Sequence, residues 1–127
     1  MLLARAIHWQ ARRYPMAGVL PFEVEVSARP QGHGYTELLV DTENPFFPVG
    51  SLLRGHEFHY SGILPGSETP RTACEVRRGM GCGGGRDGVV VGNVWASYTH
   101  LHSLATPEWG AGMINAAQRF TRREVAA

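Results

Sequence analysis

The sequence predicts a mixed α/β domain, richer in strand than in helix, with a mixed sheet, β-hairpins and one C-terminal helix. Three observations predict it. Val24 and Val26 alternate with Glu23 and Glu25, the two-residue period of a half-buried strand. The valine run Val89 to Val91 opens a long extended stretch, "GVVVGNVWASYTHLH". Thr106, Pro107 and Glu108 form a helix start, as N-cap, first-turn proline and dipole-matched acid.

The elements follow in order. Residues 2–13 read as a short helix, because Leu3, Ile7 and Ala11 fall at helical spacing. Residues 16–28, "MAGVLPFEVEVSA", read as extended. "RPQGHG" is turn chemistry and "YTELLVD" is the return strand, so the two predict a hairpin. "TENPFFPVGS" is a Pro- and Gly-rich loop, "LLRGHEFHYSGI" one strand, and "LPGSETPR" a second loop. "TACEVRR" and the valine stretch flank "GMGCGGGRDG", which predicts a hairpin with a mobile tip. Trp109, Met113, Ala117 and Phe120 then form the apolar stripe of the final helix, with Arg119, Arg122 and Arg123 at its C-terminal end.

A chain of 127 residues fits one domain with a core of its own. At 43% hydrophobic and 18% charged residues, the composition is that of a globular protein. A net charge of +1 points to neither nucleic acid nor an anionic membrane as partner. All 12 basic residues are Arg. Cys74 and Cys82 make no disulfide framework and read as reduced thiols of a cytoplasmic protein. The opening "MLLARAIHWQARRYP" is too short and too soon charged for a signal peptide or a membrane span.

Four of the six histidines sit in two segments, "RGHEFHYS" and "SYTHLH". On a strand His100 and His102 share a face and could share an ion, whereas His56 and His59 point to opposite faces. The latter pair lacks the spacing of a zinc helix, so histidines satisfied in or near a core remain the plainer reading. The glycine-rich run cannot be the phosphate loop of a nucleotide hydrolase, which needs a Lys that this chain lacks. Cys82 among glycines resembles a nucleophile's tight turn, but a strand and not a helix follows it. Cys74 reads as a small buried hydrophobe. His100, where a strand stops, suits an acid–base group that needs a partner.

"MAGVLPFEVEV", "PQGHGY", "NPFFPVGSLLRGHEFHYS", "GGGRDGVVVGNVWASYTHLH" and "TPEW" together resemble the C-terminal part of the cobyrinic acid a,c-diamide synthase family. The likeness runs from about Met1 to Arg123. It implies a partial class I-type glutamine amidotransferase domain. In such enzymes a cysteine thiolate attacks glutamine and releases ammonia. A second domain uses ATP and Mg2+ to activate a corrinoid carboxylate, which ammonia converts to an amide. The resemblance assigns the catalytic histidine to His100, with Tyr98, His102, His56, His59 and Glu57 in the supporting motifs. It also implies that the nucleophile would fall a few residues before Met1 and that the ATP-binding domain is absent. The expectation is therefore a C-terminal fragment, inactive alone, holding no cofactor or metal, with an exposed sheet edge that favours a partner chain or self-association. His102 stands where class I enzymes carry an orienting carboxylate, so Glu57 is expected to supply that charge from a neighbouring strand. The alternatives are an amidotransferase for a sirohaem-type tetrapyrrole, a non-enzymatic scaffold or binding subunit completed by a partner, and a small metal-binding β protein.

Overall fold

In a computed structural model describing residues 1–66, 68 and 70–125, the chain forms two sheets and one helix. The strands are β1 (Ala6–Trp9), β2 (Arg12–Pro15), β3 (Val24–Val26), β4 (Gly32–Val40), β5 (Leu52–His59), β6 (Ser61–Ile63), β7 (Thr72–Arg78), β8 (Arg86–Val91), β9 (Val94–Ala96) and β10 (His100–Leu101), followed by α1 (Glu108–Val125). The four-stranded sheet runs β2-β1-β3-β6 and the six-stranded sheet β10-β5-β4-β7-β8-β9. The expected mixed α/β character and C-terminal helix are present. Among the described residues no helix is long and apolar enough to cross a membrane.

Residues 2–13 hold no helix. They form the β1–β2 hairpin, pairing Ile7 with Tyr14 and Trp9 with Arg12. Its two-residue turn places Gln10 and Ala11 at φ of 48° and 59°, which suits the twist of a tight hairpin. Neither residue carries the glycine or asparagine signal of such a turn, so helical spacing misled. The Trp9 and Tyr14 rings meet at a tilt of 43° across the strands, with centroids 6.5 Å apart.

The expected hairpin of β3 with β4 is also corrected. β3 lies in the small sheet and β4 in the large one. Likewise the single strand expected over residues 52–63 breaks at Tyr60 into β5 and β6. Both breaks belong to one long ribbon that changes sheets at a corner: β4 pairs with β5, and β3 with β6. The corner is held by Ser27 N–H to Tyr60 O at 2.7 Å and Gln31 N–H to His59 O at 2.8 Å. Strands that switch sheets at bends are how packed sheets turn corners.

Two apolar clusters result. One joins Leu38, Val40, Phe47, Leu53, Ala73, Cys74 and Val90; the other joins Ala4, Leu20, Phe22, Val24 and Val89. β8 serves both, through Val90 and Val89, which explains a continuous buried run over Asp87, Gly88, Val89 and Val90. The stretch expected as one strand over residues 88–102 is three, broken first at Gly92 with φ 55°. Ser67 and Thr69, in the expected loop 64–71, lie outside the described residues.

The helix α1 sits where expected but packs otherwise. Trp109, Met113 and Phe120 are 46%, 46% and 53% exposed, so the stripe does not face a core. Contact comes instead through Gly112, where a Cβ would stand 2.2 Å from the Phe46 carbonyl, and through Arg119, which donates to Pro45 O at 2.6 Å. Thr106 is not a side-chain cap. Its hydroxyl donates to Arg54 O at 3.4 Å, tying the helix start to β5, while its carbonyl accepts Trp109 N–H at 3.1 Å. The Arg123 side chain lies outside what the structure describes.

Candidate functional site

Alternation along β5 divides the histidine segment between two environments. Leu53 and Glu57 are buried on one side; Arg54, His56 and Phe58 are exposed on the other. β10 pairs with β5 in antiparallel register, setting His100 directly opposite His56. Directly paired residues share a face, and the two imidazoles meet edge to face with ring centroids 4.9 Å apart. Tyr35 of β4 is the next partner of His56 across the sheet, and is 74% exposed. His33 and Phe58 meet at 5.4 Å in the adjoining row. His100 therefore stands on an open face of the large sheet, next to a second imidazole.

The close approach of β10 to β5 requires glycine at position 55. A Cβ there would lie 2.3 Å from the His100 carbonyl oxygen and 2.8 Å from Thr99 Cγ2. This is a sequence-encoded condition for His100 to reach its place.

Glu57 does not serve His100. As the neighbour of His56 on one strand it points to the opposite side of the sheet. There it accepts the N–H of Met80 at 2.7 Å and of Gly81 at 3.0 Å, and lies 3.3 Å from His59 Nε2. The other nitrogen of that ring, Nδ1, faces the Ser61 carbonyl at 2.8 Å. So the glycine-rich run is an anion cradle for the chain's own carboxylate, and the expected mobile tip is tethered at its start. Cys82 ties its far end, donating from N–H to Arg86 O at 2.9 Å and from Sγ at 3.1 Å.

His59 and Tyr98 come together. Their rings stack at 3.9 Å with 20° between planes, and the Tyr98 hydroxyl shares a hydrogen bond of 2.9 Å with Ser61 Oγ. Burial raises the Tyr98 hydroxyl above the usual phenol range. His102 lies beyond the two-residue β10, exposed, with Nδ1 accepting Leu104 N–H at 3.2 Å. Among the described residues no group of three or more His, Cys, Asp or Glu is arranged to hold a metal.

The chain's own thiols are poorly placed for nucleophilic work. Burial, followed by the charge of Asp87, pushes both Cys74 and Cys82 up to about 12. Cys74 packs among Leu38, Val40 and Leu53, the side of the sheet opposite His100. One important residue escaped sequence reasoning. Asp87, expected only as part of a turn, is fully buried and accepts the N–H of Gly88, Tyr98 and Thr99.

The glycine-rich run does not fit the phosphates of ATP. The glycine-rich amides of Met80 and Gly81 are already bonded to Glu57, and there is no Lys to meet a phosphate.

Residues 1–108 match the model of the CobB/CobQ-like glutamine amidotransferase domain. The match ends where α1 begins. Among curated relatives, the cobyrinate a,c-diamide synthase of Magnetococcus marinus is 38% identical over 109 residues, 86% of this chain and 23% of the relative. That of Methanosphaera stadtmanae is 36% identical over 104 residues, 81% of this chain and 23% of the relative. That of Methanobrevibacter smithii is 31% identical over 120 residues, 93% of this chain and 26% of the relative. The chain thus spans about a quarter of the length of the curated relatives it matches. It belongs to the CobB/CobQ-like glutamine amidotransferase domain family.

Proposed function

We propose that this chain is the histidine-bearing C-terminal portion of the glutamine-hydrolysing domain, of class I type, in a cobyrinate a,c-diamide synthase. His100 is the proton-transfer residue, and it works on a thiol carried by a segment outside these 127 residues. The observation that carries this reading is the pairing of an open-faced His100 with two thiols that burial disqualifies. The names of the relatives favour a corrinoid over a sirohaem-type substrate.

The chemistry asked of His100 is general base, then general acid. Its imidazole takes the proton of the incoming thiol, and the thiolate adds to the carboxamide carbon of glutamine. The imidazolium returns that proton to the departing nitrogen, so ammonia leaves and a γ-glutamyl thioester remains for water to cleave. The ring of His56 stands edge to face beside that of His100, with centroids 4.9 Å apart. Activation of the corrinoid carboxylate by ATP belongs to a partner domain.

The test uses the chain alone and the chain fused to the thiol-bearing segment of the Magnetococcus marinus relative. Alone it should release no ammonia from glutamine above a His100→Ala control. The fusion should release ammonia, and His100→Ala should abolish this while Cys82→Ala should not. Ammonia release by the fusion that survives His100→Ala overturns the reading.

A further inference from the structure

The strand that delivers His100 is only two residues long, and residues 97–99 before it belong to no strand. Buried amides outside a ladder need acceptors from elsewhere. For this segment Asp87 supplies them. Its Oδ1 accepts Tyr98 N–H at 3.2 Å and its Oδ2 accepts Thr99 N–H at 3.1 Å. Oδ1 also accepts Gly88 N–H at 2.9 Å. The side chain is 0% exposed.

The rest of the segment is confined from other directions. Ser97 Oγ donates to Thr99 O at 2.7 Å, the Tyr98 ring lies on His59, and Gly55 leaves no slack beneath the His100 carbonyl. Gly88, next to Asp87, has φ +69° and would set a Cβ 2.8 Å from the Trp95 indole nitrogen, so Asp87 itself has little room to shift.

We propose that Asp87 is the positioning residue for His100, its carboxylate bridging the amides of Tyr98 and Thr99 so that the imidazole leaves β10 in one direction, beside His56. This rests on the reading of His100 as the proton-transfer group. The carboxylate acts through the backbone. Burial raises its carboxyl above the usual aspartate range despite three amide bonds that lower it, so the fold retains a group that costs more to bury than an amide would. What an asparagine cannot supply is two acceptor oxygens for two divergent amides.

The test is NMR of the labelled 127-residue chain and its Asp87→Asn variant, without glutamine. In the parent chain the His56 and His100 rings give an inter-ring nuclear Overhauser effect. In Asp87→Asn the Thr99 amide proton should move upfield and the inter-ring effect should be lost, while the Trp9 and Tyr14 resonances of the hairpin stay in place. An inter-ring effect of parent strength in the folded variant overturns the proposal and leaves Asp87 a purely structural acceptor. Should Asp87→Asn not fold, Asp87→Glu decides: it keeps the charge but displaces both amides, and a parent-like inter-ring effect again overturns the proposal. In the thiol-bearing fusion, Asp87→Asn should lower kcat and leave KM unchanged; an unchanged kcat also refutes it. A fusion that releases no ammonia defeats the reading of His100, and the NMR result still decides the role of Asp87.

Discussion

Glu57 offers the sharpest test of how the glycine-rich run is held. It is 2% exposed, and two backbone amides, Met80 and Gly81, donate to it at 2.7 and 3.0 Å. The surroundings are close: a Cβ at Gly79 would stand 2.9 Å from Glu57 Oε1, and one at Gly32 2.8 Å from Oε2. A hydrogen bond to a charged group contributes about 1.5–3 kcal/mol, and a buried donor left unpaired costs about 1–3 kcal/mol. Glu57→Gln keeps one acceptor and turns an NH2 toward the other amide, so the expected loss is about 2–3 kcal/mol. Glu57→Ala strands both amides, and about 3–5 kcal/mol is expected. The assay is urea unfolding followed by Trp fluorescence, with an unchanged slope on denaturant showing that both states keep their compactness. Hydrogen exchange at the Met80 and Gly81 amides should accelerate more than at Leu38 or Leu53 in the core. A loss below about 1 kcal/mol for Glu57→Ala would refute the reasoning, since it would mean the loop does not depend on this acceptor.

Two further predictions concern titration. Glu23 is pulled from 4.5 to about 2, first by its hydrogen bond from Arg13 and then by His8, and Asp41 is lowered chiefly by Arg86. A depressed folded-state value means stability that is complete above the unfolded value and lost as pH falls through the folded one. Stability should therefore hold down to about pH 5 and decline from there to about pH 2, with the raised Asp87 offsetting part of the decline. Glu23→Gln should flatten the slope of urea midpoint against pH; a slope identical to the parent's would contradict this. The second concerns the thiols. With Cys74 and Cys82 both near 12, the native chain should resist a thiol reagent at about pH 8, while both react in denaturant. Rapid labelling of native Cys82 would show that its burial and its bond to Arg86 O do not protect it.

Much of the strand content was legible because alternation is a local signal. β3 shows it cleanly, while β5 runs against it, with Glu57 buried and Phe58 exposed. Sheet membership was not legible. Nothing in residues 27–31 or at Tyr60 announces that both arms of one ribbon change sheets together, because the corner is held by a pair of hydrogen bonds between segments distant in sequence. The β1–β2 hairpin was missed because Gln10 and Ala11 adopt positive φ without the usual residue types, and pairing against β3 overrides their preference. The final helix was readable from its start signals. Its docking was not, since the contact is made by Gly112, a residue that looks like a helix weakness rather than a point of approach.

The site shows the same division. His100, His56, His59 and Tyr98 stood out as chemically capable residues, and the fold joins them in two pairs, His56 with His100 and His59 with Tyr98. The carboxylates were harder: Glu57 was expected to turn its charge toward His100 from a neighbouring strand. Glu57 is one residue from His56, and strand alternation alone sends it to the far side. Asp87 is 13 positions from His100, yet its oxygens meet the two peptides before it. The two acids sit near the two ends of the glycine-rich run: one holds its start at Met80 and Gly81, the other follows its end and grips residues 98 and 99. Positive φ at Gly79, Gly81, Gly83, Gly84, Gly85 and Gly88 lets that run fold back tightly enough to serve both. The resemblance of this run to a phosphate loop comes down to backbone amides, those of Met80 and Gly81, closing on an anion.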